Sequence, residues 1–198
     1  MGCMTGLRER KKQRTRQTLI AAAVRLFEER GFDAVTVAEI AEAAEVSTRT
    51  FFLHFQTKED VLFSGADLRV DLGLRVIAER APGEHHREVL ARAMAEMITQ
   101  SWEDDLTSGL AALRIRLAAG SPALGARLYR QYGLAQEDFA RALREAYELD
   151  EVVAAALVGA LVGAVGAVAV ASLRRGDTPD ECRAAMVRAT GMVLTPES

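Results

Sequence analysis

Two cysteines, four prolines, three histidines and one tryptophan in 198 residues exclude several kinds of protein at once. Cys3 and Cys182 form no CxxC pair and no disulfide framework, so a reducing, cytoplasmic setting is expected. No HExxH, G-x-S-x-G, P-loop or GxGxxG pattern occurs, which leaves an enzyme without its usual signatures. His85-His86 has only Glu84 nearby as a further ligand type, so a solvated turn is expected there rather than a metal site. No catalytic residue, metal or cofactor is expected. No apolar run follows the basic residues near the N-terminus, so no signal peptide is read. Met1-Gly2 resembles a myristoylation start, but Gly6 stands where Ser or Thr is needed. Aromatic residues are only 6% of the chain, and β-branched runs bounded by turn residues are scarce. Ala, Leu, Arg and Glu dominate, all good helix formers, so the expected fold is all-α.

The net charge of −3 argues against a protein that coats nucleic acid with its whole surface. Its distribution is uneven. Residues 1–60 carry ten basic and nine acidic side chains, the remainder 15 and 19. Leu7–Arg16 holds six basic residues (Arg8, Arg10, Lys11, Lys12, Arg14 and Arg16) against Glu9, a local patch suited to phosphate. One stretch, Val152–Leu173, is uncharged over 22 residues and long enough to span a bilayer. It is rich in Ala and Gly and has no Trp or Tyr within a turn of either end. A soluble helix buried in a core or subunit interface is the expected reading, with Gly159, Gly163 and Gly166 permitting close approach. No membrane partner is expected.

About nine helices are expected. Residues 1–6 have no pattern. Leu7–Arg30 reads as one helix with Ile20, Ala23, Val24 and Phe27 on one face, stopped by Gly31. Thr36-Val37-Ala38-Glu39 has the form of a capping box and opens a short second helix. After a turn at Glu45-Val46, Ser47 caps a third helix, Thr48–Phe55, and Thr57 a fourth running from Lys58 to about Arg80. Pro82-Gly83 breaks the chain. Helices follow at about 84–101, 105–119, from Pro122 to about Leu149 (capped by Ser121), from Asp150 to Arg175, and from Pro179 to about Leu194. Three helices in the first 56 residues, with a tight turn between the second and third, make a helix-turn-helix unit. The N-terminal end of its third helix, Ser47-Thr48-Arg49-Thr50, carries short polar side chains and one Arg, the residue type best able to read guanine.

Residues 16–63 closely resemble the DNA-binding domain of the TetR family of bacterial transcriptional regulators. The resemblance rests on Phe27…Gly31-Phe32, on Thr36-Val37-x-x-Ile40-Ala41, and on Val46-Ser47-x-x-Thr50-Phe51-Phe52-x-His54-Phe55-x-x-Lys58-Glu59. It implies an all-α homodimer, more often a repressor, with a DNA-binding part at 1–56 and an effector-binding and dimerisation part at 57–198. It implies that Thr36 and Lys58 grip phosphates and that Ser47, Thr48, Arg49 and Thr50 occupy base-reading and phosphate positions. Phe52 and His54 match a pair that faces DNA, with Phe52 lacking the frequent Tyr hydroxyl. Glu45 replaces a frequent Gly. Phe51 and Phe55, spaced i, i+4, are expected in the core. The last two helices match the family's dimerising pair.

The stretches Leu113-Arg114-Ile115-Arg116-Leu117, Ser121-Pro122-Ala123-Leu124 and Phe139-Ala140-x-Ala142-Leu143 resemble a mycofactocin-associated, acyl-CoA-responsive subgroup of the family. That resemblance implies an acyl-CoA or fatty acid effector. Residues 84–149 supply the apolar positions, and Trp102, Arg114, Tyr129, Phe139 and Tyr147 are candidate ligand contacts. The expected partners are therefore a double-stranded DNA operator, a second copy of the chain and a small apolar effector.

Overall fold

A computed structural model describes residues 3–195, excepting the side chains of residues 3–7, 9 and 104. The described residues form ten α-helices and no strand. In chain order they are α1 (Cys3–Arg30), α2 (Val37–Ala43), α3 (Thr48–Phe52), α4 (Lys58–Leu62), α5 (Ala66–Ala78), α6 (His86–Ser101), α7 (Leu110–Gly120), α8 (Pro122–Tyr147), α9 (Glu151–Arg175) and α10 (Pro179–Leu194). A single π turn, Trp102–Leu106, extends α6. Of the pattern-free stretch at 1–6, Cys3–Gly6 joins α1, and Met1 and Gly2 lie outside the described residues.

The expected fourth helix is two helices. α4 stops at Leu62, and α5 begins only after Gly65, whose φ of +83° is the left-handed region that glycine adopts without a steric penalty. The expected 105–119 helix is likewise shortened at its start. The π turn runs through Leu106, and Gly109 at φ +76° resets the chain before α7. The helix starts obey local chemistry. Thr36, Thr57 and Thr178 each form a reciprocal capping box, Ser47 and Ser121 cap by their hydroxyls, and Asp150 accepts from the amides of Val152 and Val153. His85 caps α6 in the same way, so the His pair opens a helix instead of lying in a turn.

The chain divides into two compact units. One comprises the residues up to Ser64 together with Ser108–Arg114; the other comprises Gly65–Thr107 and the residues from Ile115. The first unit continues through α4 because Val61 and Leu62 are fully buried. The 108–114 segment belongs with it: Arg114 Nη1 donates to the Leu62 carbonyl at 2.9 Å, and Gly109 packs near Val24. In the second unit, α5, α6, α8, α9 and α10 bury one apolar core that includes Ile77, Val89, Leu90, Phe139, Leu143, Val158 and Leu161. Burial of each such side chain contributes about 1.5–3 kcal/mol. Gly73 is required there, since a Cβ would stand 2.5 Å from Phe139 Cζ and 2.6 Å from Met97 Sδ.

Candidate nucleic-acid interface

The first unit is a platform for the short helix α3. α1 packs on α2 and α2 on α3. Leu19, Ala23, Phe27, Val35 and Ile40 are buried in this unit. Phe51 and Phe55 are buried as well, with ring centroids 5.6 Å apart, and anchor α3 from its inner face. The tight turn before α3 runs through Glu45 at φ +54°, a conformation that costs a non-glycine residue about 1 kcal/mol.

The outer face of α3 is polar at its start. Ser47 Oγ accepts from the Thr50 amide at 3.1 Å and lies 2.9 Å from Thr50 Oγ1, so these two hydroxyls fix each other. Thr48 and Arg49 are exposed beside them. Phe52 is 57% exposed, an apolar ring on the same short helix. His54 is half-buried, and its Nδ1 is enclosed without a hydrogen-bond partner. Burial, and secondarily the charges of Lys12 and Arg16, push its imidazole pKa down, so the neutral ring is favoured. Those two cations belong to α1, where the basic patch is helical and Arg8, Arg10, Lys11, Lys12 and Arg14 are exposed. Arg16 stacks over the Phe55 ring at 5.2 Å.

Thr36, which is exposed, and the half-buried Lys58 both have partners within the chain. The Thr36 amide and hydroxyl each donate to Glu39 Oε2 at 2.8 Å, and Arg30 Nη2 lies 2.7 Å from Glu39 Oε1. The amide bond from Thr36, then its hydroxyl and Arg30, hold the Glu39 carboxyl down at about 2. Lys58 Nζ donates to three carbonyls, of Phe32 at 2.7 Å, Val35 at 2.9 Å and Asp33 at 3.3 Å. This three-point attachment was missed by sequence reasoning, because its partners lie 23–26 residues away.

The candidate ligand contacts do not converge. Phe139 is buried in the core of the second unit and lines a cavity of about 10 Å³ with Leu90, Met94, Met97 and Leu161. Trp102 is half-buried on the π turn, with the Arg183 guanidinium 5.4 Å from its ring. Tyr129 is 81% exposed, and Arg114 belongs to the first unit. Tyr147 lines a separate cleft with Arg80, His85 and His86. Met94 and Met97 were not singled out from sequence; their spacing on an amphipathic helix gives only a generic core signal.

Residues 19–64 match the family model for bacterial regulatory proteins of the tetR family. The HTH-type transcriptional regulator TcmR of Streptomyces glaucescens is 34% identical over 168 residues, spanning 82% of this chain and 74% of that protein. Two solved structures share the fold. A TetR-family transcriptional regulator from Syntrophomonas wolfei has a TM-score of 0.63 at 16% identity, covering 94% of this chain and 97% of that one. The Thermus thermophilus repressor FadR, solved with lauroyl-CoA, has a TM-score of 0.54 at 24% identity, covering 92% and 96%. These relatives are regulators, not enzymes. The helix-turn-helix platform, the match across its residues and the extended similarity to TcmR together place the chain in the TetR family of DNA-binding transcriptional regulators.

Proposed function

We propose that the protein is a cytoplasmic repressor that binds a palindromic operator as a homodimer and is released by a small, largely apolar effector. The observation that carries the DNA reading is the exposed Thr48-Arg49 start of α3, in the same unit as the cations of α1, of which Lys12 and Arg16 act on His54 just after α3. Arg49 reads a base edge, while Ser47, Thr48, Thr50 and His54 hold phosphate or sugar and fix the register. Phe52 supplies an apolar contact on the same face. The basic residues of α1 add sequence-independent attraction, so removing residues 1–12 should make the dependence of affinity on salt shallower.

The second copy is supported by α9 and α10. α9 is long and apolar enough to cross a membrane by length and composition alone. One of its sides is buried in the second unit through Ala154, Val158, Leu161 and Val165. Ala156, Ala160, Gly163, Ala167 and Ala171 form the opposite, exposed stripe. On α10, which packs against α9, Ala184, Val187, Gly191 and Met192 are exposed. Two such pairs close into a four-helix bundle that removes the apolar stripe from water. A two-fold dimer reads two half-sites, which makes the operator palindromic.

Residues 1–56 carry the DNA contact in this reading, and 57–198 the effector and the dimer. The effector is an acyl thioester or fatty acid, as the acyl-CoA-responsive subgroup would imply; the side chains around Phe139 are apolar, but the space between them is only about 10 Å³, so a chain bound there has to displace them. Selection of binding sites from genomic DNA with the purified protein tests the proposal. Enrichment of a two-fold symmetric site supports it; no enrichment over input overturns it.

A further inference from the structure

Lys58 occupies the first position of α4, immediately after the helix-turn-helix. Its ammonium has three N–H bonds and meets three backbone carbonyls, those of Phe32, Asp33 and Val35. It also lies 4.6 Å from the centroid of the Phe32 ring, a cation–π arrangement. The three carbonyls belong to the loop between α1 and α2. That loop begins at Gly31, with φ +82°, and ends at Thr36, the cap of α2. The backbone of Lys58 is itself held, because Asp60 Oδ2 accepts from the amides of Gln56 and Thr57 just before it. One side chain therefore ties the end of the α3 segment to the loop that sets the start of α2. The phosphate grip implied for Lys58 would need the same N–H bonds that these carbonyls accept.

We propose that Lys58 is a positioning residue for DNA binding: its ammonium clamps the 32–35 loop and thereby fixes α2 and α3 relative to each other, without itself contacting phosphate. The clamp needs a compact donor that can address three converging acceptors. A guanidinium keeps the charge but presents its donors in a planar fork, which does not fit that geometry. Charge and clamp are thus separable by substitution.

The proposal rests on the DNA-binding reading, and the test keeps the two apart. Wild type, Lys58→Met and Lys58→Arg are titrated onto a fluorescein-labelled duplex carrying the site that the wild type selects, over a range of salt. Amide hydrogen exchange of residues 32–39 is followed in the DNA-free proteins. Both variants should bind about ten- to hundredfold more weakly, as expected for losing hydrogen bonds to a charged group. The slope of log affinity against log salt should stay at the wild-type value, and exchange at 32–39 should accelerate. Wild-type affinity in Lys58→Arg, with a slope shallower by about 0.9 per lost phosphate contact in Lys58→Met, overturns the proposal in favour of a phosphate grip. Unchanged affinity in both variants, with only a lower melting temperature, also overturns it, since Lys58 then serves stability alone. A wild type that selects no site defeats the DNA-binding reading itself, and the exchange data then report the clamp separately.

Discussion

Arg69 Nη2 lies 3.0 Å from Asp105 Oδ2, and the two side chains are 11% and 2% exposed. The pair joins the first turn of α5 to the π turn that ends α6, inside the second unit. Gly65 makes room for it, since a Cβ there would come within 3.0 Å of Arg69 Nη1. Breaking a buried pair from one side leaves an uncompensated charge, unlike the loss of a surface pair. Asp105→Ala should therefore cost about 3–5 kcal/mol in chemical denaturation, and Arg69→Met in the same chain should recover much of it. A single-variant loss below about 1 kcal/mol would place the pair in the solvent-exposed class.

Arg49 is exposed at the second position of α3. Arg49→Ala should weaken the selected site by about 1–3 kcal/mol and relax base preference at one position in each half-site. Competition binding against a panel of single-base variants measures both. Equal loss on every sequence, random DNA included, would make Arg49 a phosphate contact.

Much of this interface was legible because helix starts are local. Thr36 with Glu39, Ser47 with Thr50, and Thr57 with Asp60 each close within three residues, so a pattern in the chain stands directly for a bond. Phe51 and Phe55 were legible for the same reason, as neighbours one helical turn apart. Gly65 was not, because apolar residues continue on both sides of it and an isolated glycine is tolerated inside a helix. The Lys58 clamp was hidden for a different reason. Nothing in a lysine at a helix start indicates which distant carbonyls it will reach. The candidate ligand residues fared likewise: polar handles were picked by type, whereas a pocket depends on which side chains converge in space.

Glu39 gives the first unit a pH dependence with a definite sign. Its carboxyl falls from an ordinary 4.5 to about 2, chiefly through the Thr36 amide and hydroxyl and then Arg30. A depressed carboxylate stabilises the fold fully above its unfolded value and loses that contribution as pH falls toward the folded one. Stability should therefore decline between about pH 4.5 and 2, and Glu39→Gln should flatten that part of the profile. Thermal melts across this range are the measurement. An unchanged profile in Glu39→Gln would show that the capping box does not carry the linkage.

Gly163 lies on the exposed stripe of α9, and a Cβ built there meets nothing within 4 Å in the single chain. A larger side chain is thus accommodated in the isolated protomer, and any strong effect must come from a partner. Gly163→Leu should split or distort the dimer by holding closely approaching helices apart. Sedimentation equilibrium reads the outcome, with circular dichroism confirming that the protomer remains helical. An undisturbed dimer would place the interface elsewhere.

If the proposed effector binds beside Phe139, it enters a core that is nearly full. The cavity beside Phe139 holds about 10 Å³, roughly the space of one water, so an acyl chain can enter only by displacing side chains. Met94 and Met97 are the groups suited to this, being unbranched and able to repack. Gly73 adds no side chain on the other side, where a Cβ would stand 2.5 Å from Phe139 Cζ and 2.6 Å from Met97 Sδ. A ligand bound there stabilises one arrangement of the second unit, and it shifts operator binding only by its differential affinity for the operator-competent and released states. Titrating operator-bound protein with a panel of fatty acids and acyl-CoAs should identify compounds that raise the melting temperature and weaken operator binding in the same rank order. Phe139→Ala enlarges the cavity and should move that rank order toward bulkier chains, at a stability cost of about 3–5 kcal/mol. If every compound that raises the melting temperature leaves operator affinity unchanged, the core is not coupled to DNA binding and the effector reading fails.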